Sequence, residues 1–94
     1  MVDLEGKKLG RYELRQLIGR GGMANVYLGY DPHFERDVAI KVFKRQDEEM
    51  LRRFIREARL MASLRNTHLM PIYDTGEDHI EGMPQYYIVM PAMS

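Results

Sequence analysis

The stretch LIGRGGMANVYLGY, residues 17–30, carries Gly19, Gly21, Gly22 and Gly29, four of the chain's eight glycines. The segment before them, RYELRQLIG (11–19), alternates. Tyr12, Leu14 and Gln16 fall on one side, Glu13, Arg15 and Leu17 on the other, and period-two alternation predicts a strand ending at Gly19. The segment after them, NVYLGYD (25–31), is rich in Val26, Tyr27, Leu28 and Tyr30 and predicts a second strand. The glycines therefore sit between strands. A phosphate can approach backbone N–H groups closely where no Cβ intervenes. A P-loop is excluded because Gly-Lys followed by Ser or Thr is missing. A dinucleotide fingerprint needs a helix directly after its glycines, and here a strand follows. Two readings stay open: a hairpin that folds over phosphates as a lid, or a plain flexible hairpin, since Gly-Gly also suits tight turns.

Outward from this hairpin, Asp31-Pro32 signals a turn. DVAIKVF (37–43) is a near-continuous apolar run, as in a strand covered on both faces. Asp47 can cap a helix, with Glu48 and Glu49 in its first turn, where the helix dipole favours anions. Glu48–Arg52 and Glu49–Arg53 have the favourable i,i+4 order. Met50, Phe54, Ala58, Met61 and Leu64 form an apolar stripe. LMPIYDTG (69–76) and QYYIVM (85–90) predict two more strands joined by the polar turn EDHIEGMP (77–84), with Pro91 ending the last. Three strands, one helix and two strands with short connections predict an α+β fold, a five-stranded antiparallel sheet with one main helix packed on it. Residues 1–10 are expected to be a flexible leader, and 11–94 the folded unit.

Ninety-four residues bound the chain to one domain with a modest core. Lys and Arg number 14, as do Asp and Glu, so the net charge is zero and no nucleic-acid partner is expected. The arginines of the helix, Arg52, Arg56 and Arg59, read as a solvated face paired with glutamates. There is no cysteine, which excludes disulfides and thiolate metal sites. The polar start lacks the apolar core of a signal peptide. Asp74, Glu77, Asp78, His79 and Glu81 lack ligand spacing and read as a solvated loop, so no metal site is expected here.

Two charges stand in apolar surroundings. Lys41 interrupts the run VAIKVF, with Ala39 and Phe43 as its same-face neighbours. Glu57 falls inside the helix stripe, beside Phe54, Met61 and Leu64. A lone buried charge costs several kcal/mol, so each is most simply explained by the other. Glu57 would hold the Lys41 ammonium in place, and an aimed ammonium beside a glycine lid suits a polyphosphate.

These pieces resemble the small, N-terminal lobe of a eukaryotic-type Ser/Thr protein kinase, over roughly residues 11–94. GRGGMANV (19–26) resembles the family's G-x-G-x-x-G-x-V loop, with Ala24 where the third glycine usually stands. VAIK matches letter for letter, and FIREA (54–58) resembles the core of helix C. LMPIYDTG and YYIVMPAMS resemble the following strands and the start of the hinge. The wording GGM…VY with IYDTG is most similar to the bacterial members. The resemblance implies ATP as cofactor, with Lys41 contacting its phosphates and Glu57 as the catalytic ion-pair partner. It implies that Gly19, Arg20, Gly21, Gly22, Met23 and Ala24 cover the phosphates and that Ile18, Val26 and Ala39 roof the adenine. Met90 would be the gatekeeper, and Pro91 to Met93 the hinge. Met23 would ride exposed at the lid's tip for no legible reason.

No H-R-D, D-F-G or A-P-E occurs in these residues. The resemblance therefore places the magnesium ligands and catalytic base in a larger lobe, and the 94 residues alone are expected not to transfer phosphate. It implies protein substrates for the parent kinase, a cytoplasmic location with any membrane anchor further along, and a chain cut inside the hinge. Self-association through the cleft face or helix C is expected of such a piece. The alternative is a pseudokinase or regulatory docking lobe.

Overall fold

The computed structural model describes residues 4–44, 49, 52–56, 59 and 72–92. Among them is one antiparallel sheet of six strands: β1 (Lys8–Leu9), β2 (Tyr12–Arg20), β3 (Ala24–Asp31), β4 (Arg36–Phe43), β5 (Asp74–Ile80) and β6 (Met83–Pro91). Their spatial order is β1-β2-β3-β4-β6-β5. Residues 49, 52–56 and 59 are helical and belong to helix α1. The α+β arrangement of the sequence reading holds, but the strand count is six, not five.

The added strand comes from the stretch expected to be a leader. Leu9 and Leu4 are buried in the core, so two apolar side chains anchor a segment that is otherwise polar. Lys8 and Leu9 pair with Glu13 and Tyr12 across a turn through Gly10. The sheet curls until its two edge strands meet. The Gly10 N–H donates to Asp78 of β5 at 2.7 Å, and the Tyr12 hydroxyl donates to Asp74 at 2.7 Å. Inside the curl lies one apolar cluster that includes Leu9, Tyr12, Ile40, Tyr87 and Val89.

Two further expectations change. β2 alternates only as far as Leu14. Register shifts between Leu14 and Gln16, and again between Leu17 and Gly19, break the pattern. An extra residue in one strand inverts every later side chain, so Leu17 packs on the same cluster as Tyr12 and Leu14 instead of opposing them. The last hairpin is also displaced. EDHIEGMP is mostly strand, and the turn is only Glu81-Gly82, both at positive φ (53° and 80°). Such a two-residue turn matches the twist of its flanking strands. Asp74, Glu77, Asp78 and His79 thus belong to a strand, not a solvated loop.

The outer face of the curl carries a second cluster: Ala24, Phe43, Phe54, Tyr86 and Ile88. Phe54 brings α1 to this face. Its ring meets Phe43 edge-on at 5.5 Å and stacks on Tyr86 at 5.6 Å.

Candidate functional site

The central strands place four of the sequence-predicted site residues side by side. Val26 of β3 lies directly opposite Lys41 of β4, which lies opposite Ile88 of β6. One step along, Leu28 faces Ala39, which faces Met90. Residues directly opposite each other share a face, as do residues two apart on one strand. Val26, Lys41, Ala39 and Met90 therefore form one strip. Ile88 and Phe43 belong to the cluster that holds Phe54, so the helix packs on the face from which Lys41 projects.

Lys41 is half-buried, and its ammonium sits 5.5 Å from the centre of the Phe43 ring. A cation over an aromatic face is held by the ring's quadrupole. Val26 and Met90 are half-buried too, Ile18 is exposed, and Ala39 is fully buried by its neighbours. Ala39 thus lines the strip's floor more than it faces solvent. Pro91 still belongs to β6, opposite Val38. Glu57 and Met93 lie outside the described residues.

The glycine segment closes one end of the strip. Gly19 pairs with Val26 and Arg20 with Asn25, so the hairpin narrows to Gly21, Gly22 and Met23. The Gly21 N–H donates to the Ala24 carbonyl at 2.9 Å, closing the loop. A Cβ on Gly21 would stand 2.9 Å from that same carbonyl oxygen, so the fold itself requires glycine there. Gly22 is different. A Cβ there would meet nothing within 4 Å, and at Gly19 it would make only ordinary contact with Val26 at 3.7 Å. Neither has positive φ. The protein's own packing does not demand glycine at these two places, which leaves room for something that approaches the loop from outside.

Met23 and Arg53 make a contact that sequence reasoning missed. One Arg53 guanidinium nitrogen lies 2.8 Å from the Met23 sulfur, and another lies 3.3 Å from Glu49. The i,i+4 rule identifies the Glu49–Arg53 pair, but nothing in the sequence reports that the loop tip reaches the same arginine.

At the far end of β3, Arg11 holds Asp31 through two bonds, 3.0 and 3.2 Å. The His33 and Phe34 N–H groups donate to the same carboxylate. Arg11 beside it, aided by these N–H donors, holds the Asp31 carboxyl below its ordinary range. The Gly10 and His79 N–H groups do the same for Asp78. Burial, and then the bond to Asp74, push the Tyr12 phenol upward. All three are structural links remote from the strip. Among the described residues no group of three or more His, Asp or Glu side chains is placed to hold a metal ion, and no helix is long and apolar enough to cross a membrane.

Known proteins share this chain's sequence and fold. The family described as "Protein kinase domain" matches residues 12–94. The serine/threonine-protein kinase PksC of Streptomyces coelicolor is 46% identical over 84 residues, which is 86% of this chain and 15% of that protein. PrkC of Bacillus subtilis is 46% identical over 91 residues, covering 93% of this chain and 13% of its own length. The chain thus spans a small part of the relatives it matches. Among solved structures, the kinase domain of Mycobacterium tuberculosis PknI superposes with a TM-score of 0.69 at 32% identity, covering 94% of this chain and 35% of that one.

Proposed function

The chain belongs to the protein kinase domain family, and from that premise we propose that it is the ATP-binding lobe of a bacterial Ser/Thr protein kinase, which transfers the γ-phosphoryl group of ATP to protein hydroxyls. The observation that carries this reading is the strip itself. Val26, Lys41, Ala39 and Met90 stand in neighbouring register rows of one sheet face, beside a glycine hairpin.

The residues fit the nucleotide. Val26 and Met90 offer an apolar, half-open surface for a flat purine, floored by Ala39, and Ile18 stands free to cover it. The hinge atoms that would meet the purine edge are the backbone groups of Pro91 and Met93. Lys41 supplies a fixed positive charge for the phosphates. The loop can bring backbone N–H groups close to phosphate oxygens at Gly19 and Gly22, where no side chain intervenes. Glu57 is assigned as the carboxylate that steadies Lys41. Bound magnesium supplies charge neutralisation of the transferring phosphoryl group, and its ligands are assigned to residues outside these 94. In these terms the lobe binds and orients ATP, and transfer needs the base and metal ligands of a second lobe. The 94 residues alone are therefore expected to be inactive in transfer.

The test is nucleotide titration and phosphoryl transfer to a generic protein acceptor, by the full-length protein and its Lys41→Met variant. Transfer is expected to fall by about a hundredfold or more, the scale of removing one preorganised charge from a transition state. Equal transfer by the two proteins would remove the role given to Lys41. ATP binding without transfer by the wild type would assign the lobe to docking or regulation instead.

A further inference from the structure

Met23 is the residue at the loop tip whose presence the nucleotide reading does not explain. It is exposed, at 43%, yet it is held twice. Its carbonyl accepts the N–H of Lys44, just past the end of β4, at 2.9 Å. Its sulfur lies 2.8 Å from the Arg53 guanidinium, whose other nitrogen pairs with Glu49 one turn back on α1. The tip has little other support. Gly22 next to it is in open space, and the loop's remaining closure is its own Gly21–Ala24 bond.

We propose that Arg53 is a positioning residue for the nucleotide phosphates, acting through Met23 to latch the tip of the glycine loop to helix α1. The inference rests on the reading that this loop covers phosphates. A flexible hairpin must be ordered before its N–H groups can serve a ligand, and that ordering opposes binding. The latch orders the tip beforehand, through a residue of α1 rather than through the strip itself. A thioether suits the task. It is an unbranched, polarisable acceptor that reaches across a gap without demanding strict geometry. Arg53 contributes a planar donor already oriented by Glu49. The loop and the helix then shift together, because a displacement of α1 withdraws the guanidinium from the sulfur. The affinity of the site for a nucleoside triphosphate becomes linked to the helix position without any contact between Arg53 and the ligand.

The test compares ATP with adenosine on the full-length protein, for wild type, Met23→Leu, Arg53→Gln and the double variant, with melting temperatures alongside. Both side chains lie at the surface, so the melting temperature is expected to stay unchanged. Each single substitution is expected to weaken ATP affinity by about five- to tenfold and leave adenosine affinity alone, since adenosine carries no phosphate. The double variant is expected to match the singles, because either change opens the same latch. Arg53→Lys, which keeps a donor, is expected to restore part of the loss. Unchanged ATP affinity in both singles, or losses that multiply in the double variant, would overturn the latch while leaving the nucleotide reading intact. A wild-type protein that binds ATP no more tightly than adenosine would overturn the nucleotide reading, and the latch with it.

Discussion

Asp31 is 1% exposed and carries a charge, a combination that a protein tolerates only when the charge is answered. Arg11 answers it from one side and two backbone N–H groups from the other. Its pKa in the fold is lowered, so the unfolded chain binds the proton more readily. The stabilisation is therefore fully present above the ordinary aspartate value of about 3.9, and is lost as pH falls through the lower folded value. Asp31→Asn is expected to lower the melting temperature by several degrees at pH 7, and the gap between the two proteins should close as melts are repeated towards pH 3. A constant gap across that range would mean that the charge is not what matters. The sequence shows Asp31 only as half of a turn signal with Pro32. Its ion pair was not legible because Arg11 lies 20 positions earlier, in the turn between β1 and β2. Lys41 was legible for the opposite reason: one charge inside an apolar run contradicts its local surroundings.

At the scale of elements, α1 is attached to the sheet through Phe54, sandwiched between Phe43 and Tyr86. Truncating a buried phenylalanine loses both its transfer free energy and its contacts, so Phe54→Ala is expected to destabilise the protein by about 3 kcal/mol. Denaturant unfolding measures this, and a loss below about 1 kcal/mol would show that the helix is held by other means. Phe54 was readable as an inward-facing helical position, while Met50, Ala58, Met61 and Leu64 of the expected stripe lie outside the described residues; the central strands β3 and β4 were readable from their β-branched and aromatic content. The bulges of β2 were not. A bulge adds one residue without any mark in composition, and alternation then assigns Leu17 to the wrong face. The turn at Glu81-Gly82 was hidden within a longer polar segment. Polarity there reflects an edge strand whose carboxylates bond across the seam, rather than a loop.

For the molecule as a whole, the edge-to-edge closure between β1 and β5 decides what the first ten residues do. Burying Leu4 and Leu9 contributes about 1.5–3 kcal/mol each, roughly 3–6 kcal/mol together. Natural domains are stable by only about 5–15 kcal/mol, so this is a large share. Deleting residues 1–10 is expected to lower the melting temperature sharply and to expose the sheet interior to a hydrophobic dye. A deletion variant that melts like the parent would show that these leucines are dispensable. No sequence argument found this strand, because two residues of β structure carry no periodicity. The glycine hairpin between β2 and β3 and the lysine within β4 were legible from local patterns, whereas the pairing of β4 with β6 that completes the strip is a long-range contact no local pattern reports.

The closure also sets a clock. The groups that meet at the seam are separated by 68 residues between Gly10 and Asp78, and by 62 between Tyr12 and Asp74. At a ribosomal pace of about 5–20 residues per second, β1, already paired with β2, waits several seconds for β5 to be made. During that time the cluster around Leu4 and Leu9 lacks Ile80, Tyr87 and Val89. The earliest-made strand of the sheet is thus the last to be sealed at the seam.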